Sequence, residues 1–235
     1  MKFAIIAAGE GSRLAREGVK APKPLIKLQG IPIIERLVML FASQGASSIN
    51  IIINEQQPDT LALLQKLQKR YPINIVVKDT PSSMHSLHAL SHLLRGEKFC
   101  LTTVDTIFKE KEFTEYIKSF KNSADDALMA VTDYIDDEKP LYVATDLVNN
   151  ITGFYDNYTD GIKYISGGIY ALTPPAIDVL NKCIELGVSR MRNYQRALIE
   201  NGLKLKAAPF SKVIDIDHAT DIVKAEQFIA ESQQK

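Results

Sequence analysis

The sequence predicts an α/β fold in which a mixed, mainly parallel sheet is flanked by helices. Through the first hundred residues, apolar runs of strand length alternate with helical patterns. This order is typical of parallel strands joined by right-handed helical crossovers. Between residues 127 and 172 strand-like runs predominate, so we expect antiparallel strands there. Neither a linker nor a repeat interrupts the pattern, and residues 1–235 are predicted to form a single domain.

The predicted elements follow the apolar periodicity along the chain. Short apolar runs predict strands, and apolar residues spaced by three and four predict helices. Leu61, Leu64 and Leu67, for example, keep the helical spacing. The predicted strands are residues 2–7, 48–53, 73–78, 98–104, 127–133, 141–146, 164–171 and 205–210. The predicted helices are residues 33–44, 59–70, 84–94, 110–120, 174–186, 190–201 and 218–231.

Composition argues against several classes of partner. Lys and Arg together number 28, as do Asp and Glu, so the chain lacks the basic excess expected of a protein that binds nucleic acid or a membrane surface. No apolar run is long enough to span a membrane or resembles a signal peptide. Cys100 and Cys183 lie in apolar surroundings and are expected to be reduced core thiols of a cytoplasmic protein. The composition neither predicts nor excludes a homo-oligomer.

A glycine-rich stretch directly follows the first predicted strand. Residues 7–14 read Ala-Ala-Gly-Glu-Gly-Ser-Arg-Leu. Glycines lack a Cβ atom, so main-chain N–H groups can approach a nucleotide closely, and Arg13 adds a permanent cation. A dinucleotide-binding loop would have a third glycine at Leu14 and an acidic residue after the second strand, and a Walker loop would have Gly-Lys-Ser/Thr. Neither pattern is present, so a different phosphate or nucleotide site is predicted.

Three segments together resemble the nucleotidyltransferase superfamily with the GT-A fold. They are residues 7–14, Ala21-Pro22-Lys23-Pro24-Leu25-Ile26 and Gly30-Ile31-Pro32-Ile33-Ile34-Glu35. The superfamily includes sugar-1-phosphate nucleotidyltransferases, MobA-like enzymes and phosphocholine cytidylyltransferases. The resemblance implies a Rossmann-like fold, with Arg13 and Lys23 holding a triphosphate and neutralising the leaving pyrophosphate. It also implies nucleotide contacts from the glycine loop, namely Ala7, Ala8, Gly9, Gly11 and Ser12.

The resemblance further implies a Mg²⁺ cofactor, because nucleotidyl transfer gathers phosphate charge on a hard cation that prefers carboxylate oxygens. An apolar run ends at Asp105, where related enzymes carry a metal-binding aspartate, usually after a glycine; here Val104 precedes it. Asp215 and Asp217 face the same side of an extended segment, because side chains alternate. At least one of the two is expected to join Asp105 at the metal. The alternatives are that Asp105 caps a turn and that Asp217 caps the helix from His218.

Two further segments are predicted to contact the substrates. Residues 81–87, Pro-Ser-Ser-Met-His-Ser-Leu, open a predicted helix whose N–H groups suit an anion. By resemblance, Ser82 and Ser86 would touch the nucleotide; Ser82 acting only as an N-cap is the alternative. Residues 164–170 resemble the strand that closes on the acceptor. There Gly167 and Gly168 allow close approach, and Lys163 is either an acceptor-binding cation or a solvated lysine at a strand edge.

The predicted activity is Mg²⁺-dependent transfer of a nucleoside monophosphate from an NTP to a phosphorylated small-molecule acceptor of the sugar-1-phosphate class, with release of pyrophosphate. One alternative is a CTP-dependent phosphocholine- or phosphonate-type cytidylyltransferase. The six tyrosines between Tyr134 and Tyr170 would suit that reaction if their rings bound a quaternary ammonium, but tyrosines are also common in strands. Another alternative is a non-catalytic nucleotide-binding module, for which only Val104 argues.

Overall fold

The computed structural model describes residues 1–136 and 138–233. In chain order its elements are β1 (Lys2–Ala7), α1 (Ser12–Arg16), a 3₁₀ turn (Lys23–Leu25), β2 (Lys27–Leu28), β3 (Ile31–Pro32), α2 (Ile33–Ser43), β4 (Ser48–Ile53), α3 (Pro58–Gln68), β5 (Ile73–Val77), α4 (Ser83–Leu94), β6 (Phe99–Thr103), β7 (Thr106–Ile107), α5 (Glu110–Asn122), β8 (Ala127–Thr132), β9 (Tyr142–Thr145), β10 (Ile151–Tyr155), β11 (Tyr164–Leu172), α6 (Pro175–Glu185), α7 (Met191–Glu200), β12 (Leu205–Pro209), β13 (Ile214–Asp215) and α8 (Ala219–Gln233).

One large mixed sheet organises the fold. Among the described residues it has nine strands in the order β10-β9-β11-β6-β1-β4-β5, with β8 between β11 and β12. The strands β6, β1, β4 and β5 are parallel, and β11 joins this group antiparallel to β6. The α/β class with a mixed, mainly parallel sheet flanked by helices is confirmed.

The predicted strands and helices all occur, with ends within two residues of those expected. The elements that were not predicted are short or interrupted. Strand β10 contains Gly153 beside a shift in its register with β9, which breaks the alternation that marks a strand. The two-residue strands β2, β3, β7 and β13 are too short to show any periodicity. No described helix is long and apolar enough to cross a lipid bilayer.

Buried side chains form a core on each face of the sheet. On one face, the helices α2, α5 and α8 cover an aromatic cluster in which the rings of Phe3, Phe41, Phe108 and Phe113 lie against one another. On the other face, α4, α6 and α7 pack on aliphatic side chains of the same strands. Both cores share one sheet, as expected for a single domain; the domain organisation itself stays a prediction.

Replacing Phe113 by alanine is expected to lower the free energy of unfolding by about 3–5 kcal/mol, because a fully buried aromatic ring leaves a cavity. The Phe113 ring is fully buried, with its centre 5.4 Å from that of Phe41 and 5.0 Å from that of Phe108. Urea unfolding measures the change, with the exposed Val223→Ala as the control, for which we expect about 0.5 kcal/mol or less. A Phe113→Ala loss as small as that of the control would contradict this packing.

Candidate active site

The glycine loop and Asp105 lie side by side because β1 and β6 are parallel neighbours. Ile6 pairs with Thr103, and the Val104 N–H donates to the Ile6 carbonyl at 3.0 Å. The segments that follow the two strands therefore emerge at the same edge of the sheet, where ligands bind in folds of this class. A cavity of about 450 Å³ opens at this edge.

The cavity brings together the nucleotide-binding residues predicted in the glycine loop and at the start of α4, whereas Arg13, predicted to hold the triphosphate, lines a second cavity. The lining of the first cavity also includes Lys23 and Asp105. The predicted nucleotide-binding residues that line it are Ala7, Ala8, Gly9, Gly11, Ser12, Ser82 and Ser86. Their contact with a nucleotide stays a prediction, but their placement around one cavity agrees with it.

Gly11 shapes the loop. Its φ of 62° lies in the left-handed region that L side chains rarely adopt, and it directly precedes α1. This turn begins the helix that carries Arg13.

Ser82 occupies the N-cap position of α4, but its side chain makes no capping hydrogen bond. The Ser82 hydroxyl instead lies 2.9 Å from His85 Nδ1. The Ser86 hydroxyl is 2.6 Å from that of Thr80. The N-cap alternative therefore describes the position of Ser82 but not its bonding. Ser82 and Ser83 line the cavity, so the start of α4, whose first N–H groups lack an intrahelical partner, lies at its edge, where it suits an anion.

Lys23 is the centre of the charged part of the site. Its Nζ lies 2.7 Å from Asp105 Oδ2 and 2.9 Å from Asp217 Oδ1. The other oxygen of Asp217 accepts a hydrogen bond from Arg13 Nη1 at 3.0 Å. The Lys23 side chain is only 12% exposed. Residues separated by up to 204 positions in sequence thus form one connected group of two cations and two carboxylates.

The electrostatics of this group keep it charged. Burial lowers the pKa of the Lys23 ammonium, but the charge of Asp105 and the hydrogen bonds to Asp105 and Asp217 outweigh burial, so the pKa lies above its ordinary value. For the Asp217 carboxyl, burial raises the pKa, but Lys23 and Arg13 together lower it below its ordinary value. Lys23 and Asp217 are therefore both ionised near neutral pH.

Replacing Asp217 by asparagine is expected to remove a small, pH-dependent part of the stability. Because the pKa of Asp217 is lowered by folding, its contribution is present above about pH 4 and is lost as the pH falls through the lower, folded pKa. Asp217 is 45% exposed, so solvent screening limits the contribution to about 0.5 kcal/mol. Urea unfolding at pH 7 and pH 3 should show a larger difference between wild type and variant at the higher pH. A difference independent of pH would contradict this role.

A short two-stranded ribbon places Asp217 beside Asp105. Strand β13 pairs with β7, and the Ile216 N–H donates to the Asp105 carbonyl at 3.1 Å. Ile214 and Ile216 are buried whereas Asp215 is exposed, as the alternating pattern predicted. Asp215 and Asp217 both line a second cavity.

The alternative roles considered for Asp105 and Asp217 are capping roles. Asp105 lies in the turn between β6 and β7, as its alternative supposed, and its carboxylate contacts the Lys23 ammonium at 2.7 Å. The backbone N–H groups of Asp217 and His218 donate to the Asp221 carboxylate, and that of Ala219 donates to Glu17. The start of α8 is therefore satisfied by Asp221 and Glu17, and the Asp217 carboxylate is directed to Lys23 and Arg13.

The second cavity has a volume of about 270 Å³ and adjoins the first where Arg13, Lys23 and Asp217 meet. Gly167 lines it, and a Cβ atom there would lie 3.2 Å from the Ala130 carbonyl. Gly168 has a φ of 71°, and a Cβ atom would lie 3.2 Å from the Thr106 hydroxyl. Both glycines are therefore required by backbone conformation or packing, whatever they bind.

Lys163 lies away from this cavity's lining. Its Nζ is 3.8 Å from Asp133 Oδ2 and 5.0 Å above the Tyr164 ring, and its side chain is 64% exposed. This placement resembles the solvated lysine that was the alternative, and acceptor binding by Lys163 stays a prediction. Of the tyrosines between positions 134 and 170 in the described chain, Tyr134 is the one that lines the cavity, and Lys212 Nζ lies 4.2 Å over its ring.

The donor set suits a hard divalent cation. Asp105 and Asp217 direct carboxylate oxygens to the same point, now occupied by the Lys23 ammonium. Across residues 1–136 and 138–233, no group of three or more His, Cys, Asp or Glu side chains is arranged to hold a metal. Two carboxylates are sufficient for Mg²⁺ when substrate phosphates complete its coordination.

Sequence reasoning missed two side chains behind the glycine loop. Asn54 and Gln57 donate hydrogen bonds to loop carbonyl groups. The stretch Asn-Glu-Gln-Gln at 54–57 offers no signal beyond a polar turn between a strand and a helix.

Comparison with known proteins agrees with this architecture. The structure of the inositol-1-phosphate CTP transferase from T. maritima superposes with a TM-score of 0.80 at 17% identity, and the match covers 99% of this chain and 96% of that one. A Bacillus anthracis structure superposes with a TM-score of 0.84 at 18% identity, covering 97% and 94%. At such identities the likeness shows the fold.

Curated relatives match over shorter stretches. The rice protein (Oryza sativa subsp. japonica) named "Probable mannose-1-phosphate guanylyltransferase 3" is 26% identical over 190 residues, which are 76% of this chain and 51% of the relative. The 2-aminoethylphosphonate cytidylyltransferase of Lancefieldella rimae is 25% identical over 111 residues, 46% of this chain and 44% of the relative. The chain thus spans about half the length of the curated relatives it matches.

The family assignment comes from the model of the MobA-like NTP transferase domain, which matches residues 3–163. This stretch includes the glycine loop, Lys23, Asp105 and the start of α4. Because the match covers more than half of the sequence, the chain belongs to the MobA-like NTP transferase family.

Proposed function

We propose that the protein transfers a nucleoside monophosphate from an NTP to a phosphorylated small-molecule acceptor and releases pyrophosphate. The observation that carries the proposal is the Lys23 ammonium held between Asp105 and Asp217, where the two cavities meet. The names of the relatives, which include a guanylyltransferase and a cytidylyltransferase, support transfer of this kind.

The first cavity would receive the NTP. Its glycine loop presents main-chain N–H groups, and the start of α4 adds the positive end of a helix. Arg13 and Lys23 would bind the triphosphate and stabilise the charge that moves onto the leaving pyrophosphate. The Arg13 side chain is 53% exposed and that of Lys23 is 12% exposed, so we infer that Arg13 reorients on binding and Lys23 acts from a fixed position.

Mg²⁺ is the proposed cofactor, held by Asp105 together with Asp217, and with Asp215 as the remaining candidate. When bound, the ion would neutralise phosphate charge and favour attack at phosphorus. Lys23 now balances the same carboxylates. We infer that binding of the metal and the triphosphate transfers Lys23 from the carboxylates to the phosphates.

In the proposed step, an oxygen of the acceptor phosphate forms a bond to the α-phosphorus as the bond to the β-phosphate oxygen breaks. The bonding electron pair leaves with pyrophosphate. The acceptor oxygen is already an anion near neutral pH, so no general base is needed. The protein then contributes by holding the two anions in line and neutralising their charge.

The second cavity is the proposed acceptor site, and a sugar-1-phosphate is the proposed acceptor class. Gly167 and Asp215 line it, and Arg13 stands at its border with the nucleotide cavity. A CTP-dependent phosphocholine- or phosphonate-type reaction is the second candidate, supported by the relative from Lancefieldella rimae. The tyrosines give this candidate less support, because Lys212 Nζ lies 4.2 Å over the Tyr134 ring, on which a quaternary ammonium would have to bind.

A non-catalytic nucleotide-binding module has less support. Val104, which argued for it, is buried and donates its N–H to the Ile6 carbonyl. The neighbouring Asp105 still contacts Lys23.

The proposed location is the cytoplasm, as expected from the sequence. The two free thiols, Cys100 and Cys183, are buried, which is consistent with that location.

The test is a screen of the four NTPs with Mg²⁺ against sugar-1-phosphates, inositol-1-phosphate, phosphocholine and 2-aminoethylphosphonate, followed by pyrophosphate release. Release that requires both an NTP and one acceptor supports the proposal and identifies the pair. NTP binding without release for any acceptor would favour the non-catalytic module.

A further inference from the structure

Two amide side chains lie directly behind the glycine loop. Strand β4 runs parallel to β1 with Ile53 opposite Ala7, so the residues that follow β4 lie beside those that follow β1. Asn54 Nδ2 donates to the Ala8 carbonyl at 3.3 Å. Gln57 Nε2 donates to the Ala7 carbonyl at 3.3 Å and to the Gly9 carbonyl at 3.4 Å. Three successive loop carbonyl groups are therefore held from one side.

These amides are buried, so the loss of their hydrogen bonds would destabilise the protein. Asn54 is 7% exposed and Gln57 is 6% exposed. A buried amide is destabilising unless it is hydrogen-bonded. Within the described chain, Gln57 Oε1 has no hydrogen-bond partner, so the side chain is held through Nε2 alone. Reversing the amide would place Oε1 against two carbonyl oxygens, which fixes the orientation in which Nε2 faces the loop.

Neither amide lines the nucleotide cavity, so any effect on a ligand passes through the loop. In a trans peptide the C=O and the following N–H point in opposite directions. When the carbonyl groups of residues 7, 8 and 9 are directed to Asn54 and Gln57, the N–H groups of Ala8, Gly9 and Glu10 are directed to the opposite side. That side is the cavity, which these residues line.

We propose that Asn54 and Gln57 are positioning residues that set the main-chain N–H groups of Ala8, Gly9 and Glu10 to receive the nucleotide. They would do so before any ligand binds. Nucleotide binding would then not lose free energy to ordering of the loop, and the affinity would be higher. The identity of the ligand rests on the proposed nucleotidyl transfer. The orientation of the loop does not.

The test is Gln57→Met, which keeps the length of the side chain and removes its donor. Without nucleotide, the ¹⁵N order parameters of Ala8, Gly9 and Glu10 are expected to fall from about 0.85 to below about 0.6. With the NTP and acceptor that turn over best, KM for the NTP is expected to rise about tenfold, while kcat and the KM of the acceptor change less than about twofold.

Gln68→Met is the matched control. Gln68 is the last residue of α3, the helix that Gln57 precedes, and it donates to the Ile73 carbonyl at 2.8 Å, away from the loop. It should change neither readout. If Gln57→Met does not fold, Asn54→Ala removes the bond to Ala8 and is expected to act in the same direction.

Wild-type order parameters and an unchanged KM for the NTP in a folded Gln57→Met or Asn54→Ala protein would overturn the proposal. If wild type turns over none of the NTPs, the proposed transfer fails. The order parameters, which are measured without ligand, then still decide whether Gln57 positions the loop.

Discussion

Replacing Lys23 by methionine is expected to slow nucleotidyl transfer about 10³-fold while leaving the protein folded. Lys23 is the less exposed of the site's two cations, with Nζ at 2.7 Å from Asp105 and 2.9 Å from Asp217. Methionine has a similar length but carries no charge, so the pyrophosphate that leaves would lose its fixed cation. Pyrophosphate release at saturating NTP and acceptor measures the loss.

The same variant should bind a divalent cation more tightly when no nucleotide is present. The Lys23 ammonium competes with the cation for oxygens of Asp105 and Asp217, and its removal leaves two carboxylates directed to one point. We expect Mn²⁺, followed by electron paramagnetic resonance, to bind about tenfold more tightly to Lys23→Met than to wild type. Loss of turnover combined with tighter metal binding would distinguish an active-site role from general damage.

Lys27→Met is the control for both measurements. Lys27 lies on β2, is exposed, and lines neither cavity. It should keep wild-type turnover and Mn²⁺ affinity. If Lys23→Met retains more than about a tenth of wild-type turnover, Lys23 does not supply the proposed charge.

The elements were predictable from the sequence because their apolar patterns are long enough to show a period. The glycine loop was predicted from its residue types, and Lys23 and Asp105 were predicted as site residues through the resemblance to nucleotidyltransferases; their roles stay predictions. The structure places the loop and both residues around one cavity.

The arrangement of the charges was not predictable. Arg13 and Asp217 are 204 residues apart, and their contact depends on the two-residue ribbon of β7 and β13. Alternation along an extended segment places Asp215 and Asp217 on the same side, so the sequence left open which of the two faces Asp105. The structure brings Asp217 to Lys23 beside Asp105, which makes it the stronger candidate for the metal.

The supporting amides were missed for a related reason. Asn54 and Gln57 act on the loop through side-chain bonds to its backbone, and such bonds depend on β4 lying beside β1. A strand order is a property of the whole sheet. Lys163 differs from the two amides, because its position beside the predicted acceptor strand did suggest a role in binding the acceptor. In the structure its Nζ lies 3.8 Å from the exposed Asp133 carboxylate.

Replacing Asp105 by asparagine is expected to reduce Mg²⁺-dependent turnover by about 10³-fold or more. Asparagine keeps the shape of the side chain and removes the charge that a hard cation requires. The Asp105 backbone carbonyl would still accept the Ile216 N–H, so the β7–β13 ribbon and the fold should persist. Pyrophosphate release as a function of Mg²⁺ concentration measures the effect, and thermal unfolding checks the fold.

Comparing three variants decides which carboxylates act together. Asp217→Asn should approach the loss seen for Asp105→Asn, because both carboxylates contact Lys23 in the structure. Asp215→Asn should lose less, because Asp215 lines the second cavity but is not among the residues that line the first. Asp178→Asn, on the exposed face of α6, makes the same charge change away from both cavities and should keep wild-type turnover. Undiminished pyrophosphate release by Asp105→Asn would refute the proposed metal site, and a larger loss for Asp215→Asn than for Asp217→Asn would assign the second carboxylate to Asp215.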